Sequence, residues 1–297
     1  MNQFVYKSNR HMEEIHQFYE EALVSLSVKY REQYIDTAFG KTHVLILGDE
    51  NKEKIFTLHG GNGINPLNIR IFKPLLEHYC IVAPDVIGMP GKSDPYRNLD
   101  SKKDYYGLWI LEVLKALDIS GCMFVVSSYS SAMLLSLAKV SPDRITKAVL
   151  LVPSGITHGP LLPIMIRMTV PFMRYYIHPT TKNLDGIMDT MITEGDNTWR
   201  KFLHMMMSGY RMEMRAPKEY KAKELLGFTS PILIAASQED IFFPADRVFR
   251  KAEQLFTGDI YKMLIEGKHL PSEKTMLAVC KEILDFDKKT LQKSNIH

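Results

Sequence analysis

Short apolar runs of strand length alternate with stretches of helical periodicity, and this alternation constrains the chain more than any other feature. The runs lie at 54–58, 80–84, 122–126, 148–152 and 231–236, and they are too continuously apolar for strands with one wet face. Between two of them, Tyr105, Leu108, Leu111, Leu114 and Leu117 step by three along a helix. Strands separated by helices imply βαβ units and a parallel sheet covered on both faces. The expectation is an α/β fold with a doubly wound, mostly parallel sheet. Two earlier β-rich pieces, 34–39 and 42–47, with Gly40-Lys41 between them as a turn, would add an antiparallel edge. Before them Met12, Ile15, Tyr19, Leu23 and Leu26 mark an amphipathic helix packed on something larger. A further strand is expected at 261–265 and a last helix over about 273–286.

The rhythm breaks from 154 to 228. Prolines 160, 163, 171 and 179 interrupt helical fragments there, and ten of the seventeen methionines fall in this stretch. The strands resume afterwards, so the stretch reads as an insertion between two sheet strands rather than an independent domain. A net charge of +3 in 297 residues is too small to imply nucleic acid or an anionic membrane as partner, and the Lys288, Lys289, Lys293 tail reads as a solvated terminus. Cys80, Cys122 and Cys280 are odd in number and far apart, as expected of reduced core thiols. The N-terminal stretch has no apolar signal-peptide core, and no apolar run approaches a membrane span, so a cytoplasmic protein is expected.

Catalytic groups in such sheets gather beyond the carboxyl ends of the strands. Ser128, Asp240 and His269 each follow an apolar run, in that chain order. A serine hydroxyl becomes a competent nucleophile only when a base removes its proton. Imidazole does so near neutral pH, and a carboxylate fixes the imidazole tautomer and stabilises its cation. Ser130 is the second candidate nucleophile on the same turn. His59-Gly60-Gly61 also follows a strand, and glycine lets a backbone N–H approach a ligand closely. The Gly61 and Tyr129 N–H groups are therefore the expected oxyanion donors.

These residues together resemble the α/β-hydrolase superfamily, of the lid-bearing esterase and C–C-hydrolase type. The resemblance rests on His59-Gly60-Gly61, on the run from Asp85 through Gly88 and Gly91 to Ser93, on the strand-serine-helix turn, and on Pro142-Asp143-Arg144 after the following helix. It implies an α/β-hydrolase core over 1–153 and 229–297, with 154–228 as a helical lid. Counting back from Pro142 by the family's spacing reaches Ser128. Three positions depart from the family's usual glycines: Val126 and Ser130, two residues either side of Ser128, and Lys268 before His269.

Gly91-Lys92-Ser93 superficially suggests a phosphate loop, but Val86 stands where that loop needs glycine. No zinc-type His/Cys spacing or dinucleotide fingerprint is present, so no cofactor and no metal are expected. The expected partner is a small molecule, held in an apolar pocket to which Met165, Met168, Met205 and Met206 are candidate contributors. Three functions fit the pattern: an esterase for a small apolar ester, a C–C bond hydrolase using the same triad, or a hydrolase-fold protein that binds a ligand without turnover.

Overall fold

The computed structural model describes residues 3–100 and 103–294; Met1 and Asn2 of the N-terminal stretch lie outside them. In chain order, β1 (Gln3–Phe4) precedes α1 (Asn9–Ser25). A hairpin of β2 (Tyr30–Thr37) and β3 (Gly40–Leu47) comes next, then β4 (Lys54–Leu58), α2 (Asn65–Phe72), β5 (Cys80–Pro84), β6 (Tyr96–Arg97) and α3 (Tyr105–Ala116). After them stand β7 (Cys122–Ser127), α4 (Tyr129–Val140) and β8 (Ile145–Leu151). A helical stretch interrupts the alternation: α5 (Leu161–Ile164), a π turn (Met165–Thr169), α6 (Val170–Ile177), α7 (Thr181–Met191) and α8 (Asn197–Gly209). The sheet resumes with β9 (Ile232–Ser237), α9 (Ala245–Leu255) and β10 (Ile260–Ile265), and α10 (Glu273–Ser294) comes last.

The strands other than β1 and β6 form one eight-stranded sheet in the order β10-β9-β8-β7-β4-β5-β3-β2. Neighbours from β10 to β5 pair in parallel, while β3 pairs antiparallel with both β5 and β2. Successive side chains of a strand point to opposite faces, and β7 divides its residues between two cores accordingly. Phe124 and Val126 enter the core with α3 and α4, whereas Met123 and Val125 enter a second core with α1, α2 and α10. Both faces are apolar because both are covered.

From β4 the chain passes to β5 on one side and later to β7 on the other. The loops leaving β4 and β7 therefore diverge and open a crevice between them, where ligands bind in sheets of this kind.

The hairpin turn differs from expectation. Ala38 and Phe39 form it, and Gly40 already pairs with Thr37. The Thr37 hydroxyl explains the shift, donating to the Gly40 carbonyl at 2.6 Å and accepting the Phe39 N–H at 3.2 Å. Gly40 takes φ +131°, and a Cβ there would meet the Asp94 side chain at 2.8 Å, so only glycine can open the returning strand.

The N-terminal helix packs on both the sheet and the interrupting helices. Phe18 stacks on Phe202 of α8 with ring centroids 5.7 Å apart. The chain just before α1 is tied to the end of α8, with the Arg211 N–H on the Val5 carbonyl (2.7 Å) and the Lys7 N–H on the Gly209 carbonyl (2.8 Å). Replacing Phe18 by Ala is expected to destabilise the protein by about 3 kcal/mol through lost burial and a residual cavity. Urea unfolding at unchanged m-value would check this.

Candidate active site

Ser128 stands between the end of β7 and the first residue of α4 with φ 54° and ψ −124°, a backbone region that a residue with a side chain adopts only under constraint. Several hydrogen bonds supply the constraint. The Ser128 N–H donates to the Leu151 carbonyl of β8 at 2.9 Å. Its own carbonyl accepts from the Ser131 N–H (3.0 Å), the Ser154 N–H (3.2 Å) and the Ser154 hydroxyl (2.8 Å). The turn thus holds the Ser128 side chain at the crevice.

His269 lies beyond β10 and Asp240 beyond β9. The His269 Nε2 lies 2.8 Å from Ser128 Oγ, and its Nδ1 lies 2.8 Å from Asp240 Oδ2. Asp240 is fully buried, and its second oxygen accepts the Phe242 N–H at 2.8 Å. With Nδ1–H directed at a carboxylate, Nε2 is the nitrogen free to accept from the serine hydroxyl. Residues 128, 240 and 269, distant in sequence, thus meet at one sheet edge.

Ser130 is oriented elsewhere. Its hydroxyl is buried, donating to the carbonyls of Leu58 (2.9 Å) and Ser127 (2.7 Å) and accepting the Ser127 N–H (3.1 Å). This excludes it as the second candidate nucleophile and gives it a job glycine could not do, tying the turn to β4. Val126 is taken up in the core beside Phe124 and does not line the crevice.

The loop after β4 brings Gly61 against Tyr129, so closely that a Cβ on Gly61 would meet the Tyr129 Cβ at 3.0 Å. Neither the Gly61 nor the Tyr129 N–H has an acceptor among the described residues. His59 sets the shape of this loop. Its Nε2 accepts the Val86 N–H at 3.2 Å, so the proton sits on Nδ1, which donates to the Gly60 carbonyl at 2.9 Å. Burial holds the His59 pKa below its ordinary value, and the nearby Asp85 charge offsets this only in part.

A cavity of about 200 Å³ opens above Ser128. Its walls include Ile64, Leu67, Ile187, Met188, Trp199 and Met206, and no Lys, Arg, Asp or Glu among the described residues. Of the four methionines expected there, Met206 alone contributes. Met165 is 60% exposed, while Met168 and Met205 lie outside the lining. The reason is helical phase: α7 and α8 turn Met188 and Met206 toward Ser128, whereas residues 165 and 168 sit on the π turn beyond them.

Three contributions were not apparent from sequence. Asn62, on the loop after β4, clasps the Glu213 backbone in both directions, at 2.6 and 3.0 Å. Thr193 accepts the Lys268 N–H at 2.8 Å, and Lys268 Nζ donates to the Asp189 carbonyl at 2.6 Å. Backbone bonds between 191–193 and Leu270 complete this seam. Gly267 must be glycine here, since with φ +96° a Cβ would lie 2.5 Å from the Thr193 hydroxyl. Ser154 is the third. These signals are pairings between distant segments, which no local pattern encodes.

A family profile described as "alpha/beta hydrolase fold" matches residues 55–212, just over half the chain. The uncharacterized carboxylesterase nap of Bacillus subtilis (strain 168) is 22% identical over 283 residues, covering 91% of each chain. Carboxylesterase YbfK of the same organism is 20% identical over 284 residues, covering 91% of this chain and 92% of that one. The crystal structure of naproxen esterase (carboxylesterase NP) from Bacillus subtilis superposes with a TM-score of 0.76 at 21% identity, over 92% of this chain and 96% of the other.

Two substitutions test these hydrogen bonds. Both Ser130→Ala and Ser130→Gly should destabilise the fold by about 2 kcal/mol, because the buried hydrogen bonds of the Ser130 hydroxyl to Leu58 and Ser127 are lost; chemical denaturation would measure it. For His59, the native pKa is depressed, so the unfolded chain binds more protons below pH ~6.5. Its stabilisation is complete above that pH and is lost as pH falls toward the native pKa. As pH is lowered from 7 to 5, the unfolding free energy from urea titrations should therefore fall more steeply in the wild type than in His59→Gln, by up to about 1.4 kcal/mol per pH unit.

Proposed function

The chain belongs to the α/β-hydrolase family and is an enzyme of its serine-hydrolase type, and from that premise we propose that it is a carboxylesterase for small, uncharged, fairly apolar esters. The observation that carries the reading is the unbroken relay from Asp240 through His269 to Ser128, with both hydrogen bonds at 2.8 Å. Ser128 Oγ attacks the ester carbonyl as His269 Nε2 takes its proton. Asp240 holds the imidazole in the required tautomer and stabilises the cation. The Gly61 and Tyr129 N–H groups receive the oxyanion, aided by the positive end of α4. His269 then protonates the leaving alcohol. A water molecule, deprotonated by the same imidazole, releases the acid and restores Ser128.

The uncharged lining supports the ester reading over the C–C hydrolase. C–C cleavage of a diketone-like substrate expels an enolate, and no lysine or arginine lines the cavity to receive it among the described residues. In this reading residues 154–228 act as the lid, since α7 and α8 supply the cavity's upper wall.

Short-chain p-nitrophenyl esters should be hydrolysed, and a fluorophosphonate should add covalently to Ser128 alone, as mapped by mass spectrometry. Ser128→Ala should reduce kcat by about 10⁴-fold or more. A protein that ignores both reagents, yet binds a small molecule equally well after Ser128→Ala, would be a binding protein without turnover.

A further inference from the structure

The segment Leu161–Ile177 (α5, the π turn and α6) is a continuous helical rod of roughly 25 Å. Its less exposed positions, Ile164, Met168, Pro171, Phe172 and Tyr175, fall on one helical stripe. Phe172 and Tyr175 pack with Leu184, Ile187 and Met207, which accounts for that side. Much of the remaining surface faces solvent and is also apolar. Leu161, Leu162, Met165, Ile166, Met173 and Ile177 are 54–72% exposed. A soluble surface seldom leaves so many large apolar side chains together, and such patches mark a docking face.

Charge selects the occupant. No aspartate or glutamate occurs from Ser154 to Leu184, while Arg167, Arg174 and Lys182 are exposed there. Neither arginine meets a carboxylate among the described residues. A second copy seated on this face would bring arginines against arginines with no acid between them. An anionic lipid surface instead offers acyl chains to the apolar side chains and phosphates to the arginines.

We propose that the rod 161–177 docks the protein on an anionic bilayer, lying in the interface plane with Arg167 and Arg174 among the headgroups. The whole-chain charge of +3 conceals this local excess. No described helix is long and apolar enough to cross a membrane, so the contact is with one leaflet. The rod is also one helix away from the candidate site. The Thr190 hydroxyl of α7 donates to the Arg167 carbonyl at 3.3 Å, and α7 contributes Ile187, Met188 and Met191 to the cavity wall. Esters dissolved in the membrane would thereby be presented beside Ser128.

Flotation of the full chain with vesicles of phosphatidylcholine alone, or of phosphatidylcholine with phosphatidylglycerol, tests this. Partitioning onto the anionic vesicles is expected to be about 10-fold or more stronger, and to weaken in high salt. Arg167→Gln with Arg174→Gln should remove the preference, and Ile166→Asp or Met173→Asp should abolish binding while circular dichroism stays unchanged. Equal binding to both vesicles, absence of binding, or binding indifferent to these substitutions overturns the proposal. A concentration-dependent dimer that Met173→Asp dissociates assigns the face to a second copy and overturns it too. The aspartate variants should keep wild-type turnover of soluble p-nitrophenyl esters, because neither residue lines the cavity. Vesicle binding is read without turnover, so its failure is separable from failure of the esterase reading.

Discussion

Everything at the crevice depends on one constrained backbone. A positive φ at a non-glycine residue costs on the order of 1–3 kcal/mol and persists only where its surroundings over-determine it. At Ser128 the surroundings come from four parts of the chain: β8 through the Leu151 carbonyl, the segment beyond it through Ser154, α4 through the Ser131 N–H, and β4 through Ser130. The parallel sheet makes this possible, because strands running the same way end together and lend their last backbone groups to one turn. A shift in β7 register would move Ser128 away from His269 and uncouple its backbone from Leu151 and Ser154.

The fold was legible where burial is total. Runs such as 80–84 and 231–236 are apolar on both faces because both faces are covered, and composition alone exposes them. The turn after β7 was legible for a related reason: an apolar strand stops at serines, and an apolar helix begins at once. The hairpin turn was misplaced because Thr37 closes it with a side-chain hydrogen bond, leaving Gly40 as the first residue of β3 rather than the apex. The pocket methionines were misassigned for lack of helical phase. Composition marks a Met-rich helix, but only packing decides which methionines face inward, and a π turn at Met165–Thr169 alters the phase mid-rod.

The replaced glycines illustrate how a site tolerates departures from its family's pattern. Glycine near such a turn supplies space, and Val126 needs none because β7 directs it into the core. Ser130 occupies space that a backbone neighbour would otherwise leave empty, and its hydroxyl satisfies groups that glycine would leave to solvent or unpaired. Lys268 extends away from the crevice to the Asp189 carbonyl, joining the segment before His269 to α7. In the last two cases a side chain contributes a specific contact where the smaller residue would contribute only room.

Those contacts bear on how the helical stretch between β8 and β9 is connected to the site. It reaches the crevice from two sides: Glu213 is clasped by Asn62 on the loop after β4, and Thr193 holds the backbone just before His269. The same stretch supplies Ile187, Met188 and Met206 to the cavity. A displacement of α7 large enough to admit a bulky ligand would strain the Thr193–Lys268 seam and, through it, the backbone carrying the imidazole. Leu161–Ile177 is tied to α7 in turn, through the packing of Phe172 and Tyr175 and the Thr190–Arg167 hydrogen bond, so it too is coupled to the histidine through that helix.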